Sequence, residues 1–144
     1  MGSLLVDIEV LDWTAAQVLA MPVRMAVFVV EQGVPADLEL DEWDVRSLHA
    51  IARRQGQVVG TARLLPDGHV GRMAVLEPER RHGVGRSLLN ALVQVALARG
   101  EPCILLNAQT QAIGFYAANG FVVDSDEFLE VGIPHRRMRW QGLR

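Results

Sequence analysis

Three strand-like segments follow one another along this chain with only short turns between them. They run from Leu48 to Arg54, from Gln57 to Leu65 and from His69 to Val75. The turns are Gln55-Gly56, where glycine tolerates positive φ, and Pro66-Asp67-Gly68. A parallel crossover would need about a dozen residues or more, so these strands must run antiparallel. We predict a three-stranded meander in the middle of the fold.

The flanking segments predict both helices and further strands. Thr14 is the expected N-cap of a helical stretch through Val30, which Pro22 bends or splits. Gly83 to Arg99 carries apolar residues about four positions apart and predicts the clearest helix, which ends at Gly100. The remaining predicted elements are strands at Leu4 to Leu11, Cys103 to Asn107, Phe121 to Val123 and Pro134 to Trp140, and a short helix from Gln111 to Asn119.

Composition excludes several classes of protein. A chain of 144 residues, half of them apolar, fits one domain spanning residues 1–144, and a net charge of −3 argues against general nucleic-acid binding. The single cysteine, Cys103, cannot form an intramolecular disulfide, and no signal peptide is visible. Because Pro22 and Arg24 interrupt the apolar run from Val18 to Val30, we expect no membrane span and a cytoplasmic location.

All 14 basic residues are arginine, and the chain contains no lysine. Schiff-base chemistry and a Walker-type phosphate loop both require lysine, so both are excluded.

An anion site is predicted where the meander meets the long helix, in the stretch EPERRHGVGRSLL from Glu77 to Leu89. The amides from His82 to Arg86 would be unpaired at a helix N-terminus, and the glycines Gly83 and Gly85 would let a phosphate approach the backbone. Arginine side chains would add charged donors. The alternative is a solvated basic turn before an ordinary helix, since short glycine patterns recur by chance.

A dinucleotide-binding Rossmann unit is disfavoured by the order of the elements. Its glycine fingerprint would follow the first strand of a βαβ unit, with an acidic residue about 20 positions later. In this chain the glycines follow an antiparallel meander, and no acidic residue occurs between Pro102 and Val123.

Two motifs together resemble the GNAT superfamily of N-acetyltransferases. Arg80-Arg81-His82-Gly83-Val84-Gly85 matches the acetyl-CoA signature of that family, after a strand ending RMAV. About thirty residues later, AIGFYAANGF from Ala112 to Phe121 matches a second signature with a Phe-Tyr pair before Gly-Phe. The stretches AVFVVEQGVP, LNAQTQ and GIPHRRM are similar to the ElaA-like bacterial branch. Two departures are Arg81, where glycine is common, and Gln109, where many members have asparagine.

The resemblance implies the GNAT acyl-CoA N-acyltransferase fold, an α/β (α+β) fold with a mixed, mostly antiparallel sheet of about six or seven strands and about four helices. It implies that the sheet splays at its central strands, where acetyl-CoA binds as cosubstrate, with no metal. The residues expected to contact the cofactor are Met73, Ala74, Val75, Arg80, Arg81, His82, Gly83, Val84, Gly85, Arg86, Ser87, Asn107, Gln109, Phe115 and Tyr116.

For catalysis, the resemblance implies that Tyr116 is the general acid for the departing thiolate and that the Val75 amide donates to the thioester carbonyl. Glu31 is the candidate general base, in competition with a purely structural role at a helix end. His49, His135 and Glu130 are further candidates for which a structural role is the stronger expectation. We expect Cys103 to be a buried, inert thiol.

The acceptor is expected to be a primary amine. Six carboxylates and no basic residue occur between Glu31 and Asp44, and a negative rim would attract a small amine, polyamine, amino sugar or peptide amine. The predicted function is therefore N-acetyl transfer by direct attack in a ternary complex. The alternatives are an acyl-CoA-binding or sensing module, and an enzyme with a longer acyl donor. No nucleic-acid or membrane partner is expected, and homodimerisation fits the family.

Overall fold

The computed structural model describes residues 5–36 and 41–142. Its helices are α1 (Trp13–Arg24), α2 (Val84–Ala98) and α3 (Ile113–Ala118), and α1 continues into a π-helical segment, Met25–Glu31. Single 3₁₀ turns lie at Asp44–Arg46, Glu77–Glu79 and Thr110–Ala112. The strands are β1 (Asp7–Leu11), β2 (Leu48–Arg54), β3 (Gln57–Leu64), β4 (His69–Val75), β5 (Leu105–Gln109), β6 (Phe121–Val123), β7 (Phe128–Glu130) and β8 (Ile133–Trp140).

These eight strands form one sheet in the order β1-β2-β3-β4-β5-β8-β6, with β7 also paired to β8. Only the contact between β4 and β5 is parallel. The predicted meander is confirmed as β2, β3 and β4, and it differs from the prediction by one residue at the end of β3. The mixed, mostly antiparallel sheet agrees with the predicted fold class.

The two longer helices cover opposite faces of the sheet. The apolar face of α2 packs on the meander through Leu88, Leu92 and its neighbours, while Trp13, Ala16 and Ala20 of α1 pack with Ile51 on the other face. α2 approaches β3 closely at Gly60, where a Cβ atom would lie 2.9 Å from Val84 Cγ1. Glycine therefore allows α2 to lie this close to β3.

The N-terminal helix differs from its prediction at its N-cap and at Pro22. Its N-cap is Asp12, whose side chain accepts from the Ala15 amide, and not Thr14. Pro22 lies inside the helix without ending it. The segment Trp13–Glu31 is therefore long and apolar enough to cross a membrane by length and composition. Its buried residues pack on the sheet in this structure, which is the pattern of a core helix.

The strand after α2 begins two residues later than predicted, and Cys103 is exposed. The prediction of a buried thiol is wrong because Cys103 precedes the strand. The buried positions alternate at Ile104, Leu106 and Ala108, which matches the two-residue period of a sheet.

Candidate active site

A cleft opens in the sheet between the parallel strands β4 and β5. The two strands pair only at His69 with Leu105 and at Val70 with Leu106, and then they diverge. The next residues of β4, 71–75, line a cavity of about 850 Å³. The predicted splay at the central strands is confirmed by this geometry.

A β-bulge in β4 accounts for the divergence. Thr61 of β3 pairs with Ala74, but Arg63 pairs with Gly71, so Arg72 and Met73 together stand opposite a single residue. Arg72 adopts a left-handed conformation with φ of 47°. A bulge of this kind bends its strand and increases the local twist, which turns β4 away from β5.

The glycine-arginine loop forms one wall of the cavity at the N-terminus of α2. The N-cap, Gly83, has φ of 80° and no side-chain cap, and a Cβ atom there would meet nothing within 4 Å. The first amides of this 15-residue helix are therefore open to a ligand. The guanidinium groups of Arg81 and Arg86 also line the cavity. A pyrophosphate fits this combination of backbone donors, helix dipole and positive charge.

Arg80, the first residue of the loop motif, is held by two contacts. Its Nε donates to the Val75 carbonyl at 3.0 Å, and its two terminal nitrogens donate to the two carboxylate oxygens of Glu31 at 2.7 Å each. This bidentate hydrogen bond and the charge of Arg80 lower the pKa of Glu31, although burial opposes the shift. A carboxylate with a lowered pKa is a weaker base, and Glu31 does not line the cavity.

The second sequence motif lies directly against the first. Phe115 packs on the N-terminus of α2 so closely that a Cβ on Gly85 would lie 3.3 Å from its ring. The next residue, Tyr116, lines the cavity, and its hydroxyl lies 3.9 Å from the sulfur of Met73 on the bulged strand. Burial raises the pKa of Tyr116 to about 12. The phenol therefore stays protonated across the physiological range, as a general acid must.

The cavity collects most of the residues predicted to bind the cofactor. Those that line it are Met73, Ala74, Val75, Arg80, Arg81, Gly83, Val84, Gly85, Arg86, Asn107, Gln109, Phe115 and Tyr116. His82 and Ser87 do not line it. The contacts of these residues with a cofactor remain predictions.

The opposite wall of the cavity is lined by polar residues, of which Gln32 was not predicted. Glu130 and His135 come from β7 and β8, and Gln109 of β5 bonds to Gln32, just after the π-helical segment, at 3.1 Å. Asn107 donates to Glu130 at 2.9 Å. Gln32 lies within the motif AVFVVEQGVP, so the resemblance could have indicated it.

Arginines from other elements neutralise much of the acidic segment. Asp44 is 1% exposed, and its carboxylate accepts hydrogen bonds from both terminal nitrogens of Arg24, at 2.9 and 3.1 Å. It accepts a third from Arg63 at 3.1 Å. Asp41 accepts from Arg63 at 2.7 Å and from Arg72 at 3.1 Å. The negative rim expected from this segment is reduced, because arginines pair with Asp41, Asp44 and Glu31. Two further acidic residues of that segment, Asp37 and Glu39, lie outside the described residues.

His49 belongs to this buried arginine cluster and not to the cavity. Its Nε2 lies 2.9 Å from the Asp44 carbonyl, and its ring packs at 4.7 Å from that of Trp13. Burial lowers the pKa of His49, so the ring is neutral at pH 7. A structural role is supported for this histidine.

Comparison with known proteins gives a consistent result. The family model for the acetyltransferase (GNAT) domain matches residues 14–141. The uncharacterized N-acetyltransferase YjcF of Bacillus subtilis is 42% identical over 123 residues, which cover 83% of this chain and 88% of YjcF.

Solved structures agree in fold. Escherichia coli ElaA superposes with a TM-score of 0.83 at 26% identity, covering 95% of this chain and 100% of ElaA. An acyl-CoA N-acyltransferase from Pseudomonas aeruginosa gives 0.82 at 29% identity, with the same coverage. A more distant Bacillus anthracis protein, solved in complex with acetyl coenzyme A, gives 0.59 at 22% identity and covers 66% of this chain and 62% of its own.

The splayed sheet, the loop at the start of α2 and these matches agree with the predicted resemblance. This chain belongs to the GNAT family of acetyltransferases.

Proposed function

We propose that the protein transfers the acetyl group of acetyl-CoA to a primary amine by direct attack in a ternary complex. The observation that carries the proposal is the cavity at the split between β4 and β5. The open amides of α2, the bulged edge of β4 and the Tyr116 side chain all line it. These features support the proposal because they are what an anion site, an extended binding edge and a proton donor would require around one space.

Each part has a defined chemical task in acyl transfer. The loop at the start of α2 would hold the pyrophosphate, and the edge of β4 would pair with the pantetheine arm as an added strand does. The Val75 amide would donate to the thioester oxygen as negative charge grows there. Tyr116 would protonate the thiolate as the C–S bond breaks.

The high pKa of Tyr116 is compatible with that last step. A phenol with a pKa of about 12 is a weak donor to a thiolate in water. In the cavity the same desolvation also destabilises the thiolate and raises the pKa of its conjugate thiol. The two pKa values therefore shift in the same direction, and proton transfer can accompany bond cleavage.

The test is release of free thiol from acetyl-CoA across a panel of primary amines, measured together with the melting temperature in the presence of CoA. We expect a higher melting temperature with CoA and amine-dependent thiol release. A melting shift without thiol release for any amine would favour an acyl-CoA-binding module. Repeating the assay with butyryl- and hexanoyl-CoA compares acyl donors, and faster turnover of either would contradict a preference for acetyl-CoA.

A further inference from the structure

The hairpin formed by β7 and β8 presents two titratable side chains to the cavity. Its two-residue turn, Val131-Gly132, has φ of 50° and 75°, the positive values that suit a tight hairpin. Glu130 pairs with Ile133 across the turn, and residues two apart on a strand share a face. Glu130 and His135 therefore lie on one face, and both line the cavity.

The hydrogen bond of His135 fixes which ring nitrogen carries the proton. The residue is 6% exposed, and its Nδ1 lies 2.7 Å from the Ile133 carbonyl oxygen. A carbonyl oxygen can only accept, so Nδ1 must be the donor. In the neutral ring Nε2 is then a hydrogen-bond acceptor. The Phe128 ring is stacked at 6.1 Å and 20° and restrains the plane of the imidazole.

Glu130 turns its second carboxylate oxygen toward that acceptor. Oε1 is held by the Asn107 amide at 2.9 Å, while Oε2 lies 3.6 Å from His135 Nε2. This separation exceeds a hydrogen bond, so with the ring neutral the two atoms face each other as acceptors with no donor between them. Within residues 5–36 and 41–142, no protein group donates to either atom.

We propose that Glu130 Oε2 and His135 Nε2 together bind the ammonium group of the acceptor, and that His135 is the general base that removes its proton. This inference rests on the proposed function. An alkylammonium group has several N–H donors and can therefore donate to both of these acceptors at once. The Glu130 carboxylate would balance the charge of the ammonium and then of the imidazolium.

The position in the sheet supports this role. His135 pairs with Gln109, which lies on β5 beyond the last pair that joins β5 to β4. The two acceptors are therefore one strand away from the split. Among the described residues, Glu130 is the charged group that faces His135. Two neutral residues, Gln109 of β5 and Gln32 after the π-helical segment, also line the cavity.

The protons balance with one released to solvent. The ammonium nitrogen gives its first proton to His135 Nε2, which later passes it to water. The neutral amine attacks the thioester carbon, so the C–N bond forms and the C–S bond breaks. Tyr116 gives its proton to the departing sulfur, and the second proton, which leaves the nitrogen as it becomes an amide, returns through water to the Tyr116 phenolate. The products are the amide, the free thiol and one proton.

The experiment compares ethylamine with 2,2,2-trifluoroethylamine, which has a similar size but a far more acidic ammonium form and is mostly neutral at pH 8. In His135→Asn we expect kcat for ethylamine to fall about 100-fold or more, because general bases contribute about 10²–10⁴-fold. The fall for trifluoroethylamine should be less than about tenfold, because that amine arrives already deprotonated. Glu130→Gln should raise KM for ethylamine more than KM for trifluoroethylamine.

Glu127→Gln is the matched control, since Glu127 is an exposed carboxylate next to the same hairpin and does not line the cavity. Its kinetics should equal those of the wild type, and all variants should keep the CoA-dependent melting shift. Equal losses for both amines in His135→Asn, or no loss for either, would overturn the proposal.

A measurement independent of turnover separates this proposal from the proposed function. In ¹⁵N-histidine-labelled protein with CoA bound, His135 is assigned by the signals that disappear in His135→Asn. We expect the neutral ring to be the Nδ1–H tautomer, and we expect the Nε2 signal to shift when ethylammonium is added. The Nε2–H form, or an Nε2 signal that ethylammonium does not move, overturns the proposal even if the wild type acetylates neither amine.

Discussion

Replacement of Asp44 by asparagine should destabilise the protein strongly, although Asp44 lies outside the predicted catalytic residues. Its carboxylate is 1% exposed and is shared by Arg24, also 1% exposed, and Arg63. Removing one partner of a buried ion pair costs about 3–5 kcal/mol. Arg63 keeps its 2.7 Å contact with Asp41, so we expect the lower end, about 3 kcal/mol.

That loss corresponds to a fall in melting temperature of about 6 to 12 °C for a chain of this size. Thermal unfolding followed by circular dichroism at pH 7 measures it. The control is Glu9→Gln, which removes an ion pair to Arg53 on the exposed face of β1 and should cost less than about 1 kcal/mol. A melting temperature for Asp44→Asn within 2 °C of the control, about the effect of 1 kcal/mol, would refute the assignment of this cluster as a buried ionic contact.

The same cluster predicts the effect of acid on stability. Burial alone would raise the pKa of Asp44, but the hydrogen bonds and charges of Arg24 and Arg63 outweigh it, and the pKa is lowered. The contribution of Asp44 is therefore fully present above the unfolded-state pKa of about 3.9 and is lost as the pH falls below that value. The difference between wild type and Asp44→Asn should stay constant from pH 6 to 8 and shrink in stronger acid.

Three further substitutions test separate parts of the account. Glu31→Gln should leave kcat within about threefold and lower the Kd for CoA by up to about fivefold, because an Arg80 that binds the pyrophosphate no longer has to leave a partly exposed carboxylate. A 100-fold fall in kcat would instead identify Glu31 as the base. Val131→Asn should raise stability by about 1 kcal/mol in urea unfolding, because a β-branched residue is strained at φ of 50°, and an unchanged midpoint would contradict that strain. Gly60→Ala should lower stability by about 1–3 kcal/mol, since its Cβ would meet Val84 and Leu88 at 2.9 and 3.0 Å, and a neutral result in the same assay would mean that α2 moves away freely.

The central part of the fold could be predicted from the sequence because its signals are local. The meander depends on two tight turns, and α2 depends on the spacing of its apolar residues. The predicted ends of these elements therefore differ from the observed ends by no more than one residue. The hairpin of β7 and β8 was missed in part, because its turn puts a valine at positive φ, a position where sequence favours glycine or asparagine. The π-helical segment was also missed, since its wider hydrogen bonding has no distinct side-chain period.

The site was predictable where it follows a motif and obscure where it depends on tertiary pairing. The loop at α2 and Tyr116 were predicted from two signatures that lie about thirty residues apart in the sequence, and both line the cavity. Charged residues are normally expected at the surface, so the burial of Arg24 and Asp44 could not be anticipated. His135 was a candidate from the sequence, but its position opposite Glu130 could not be anticipated, because the hairpin brings the two side chains together.

The most direct test of the central claim is thiol release by Tyr116→Phe, measured with a saturating primary amine from pH 6 to 10. The claim predicts a fall in kcat of about 100-fold or more, because general acids contribute about 10²–10⁴-fold, together with an unchanged CoA-dependent melting shift. Because the pKa of Tyr116 is about 12, wild-type activity should show no loss from its ionisation within this range. Full turnover by Tyr116→Phe across these pH values would contradict the claim that acyl transfer at the split between β4 and β5 depends on this phenol.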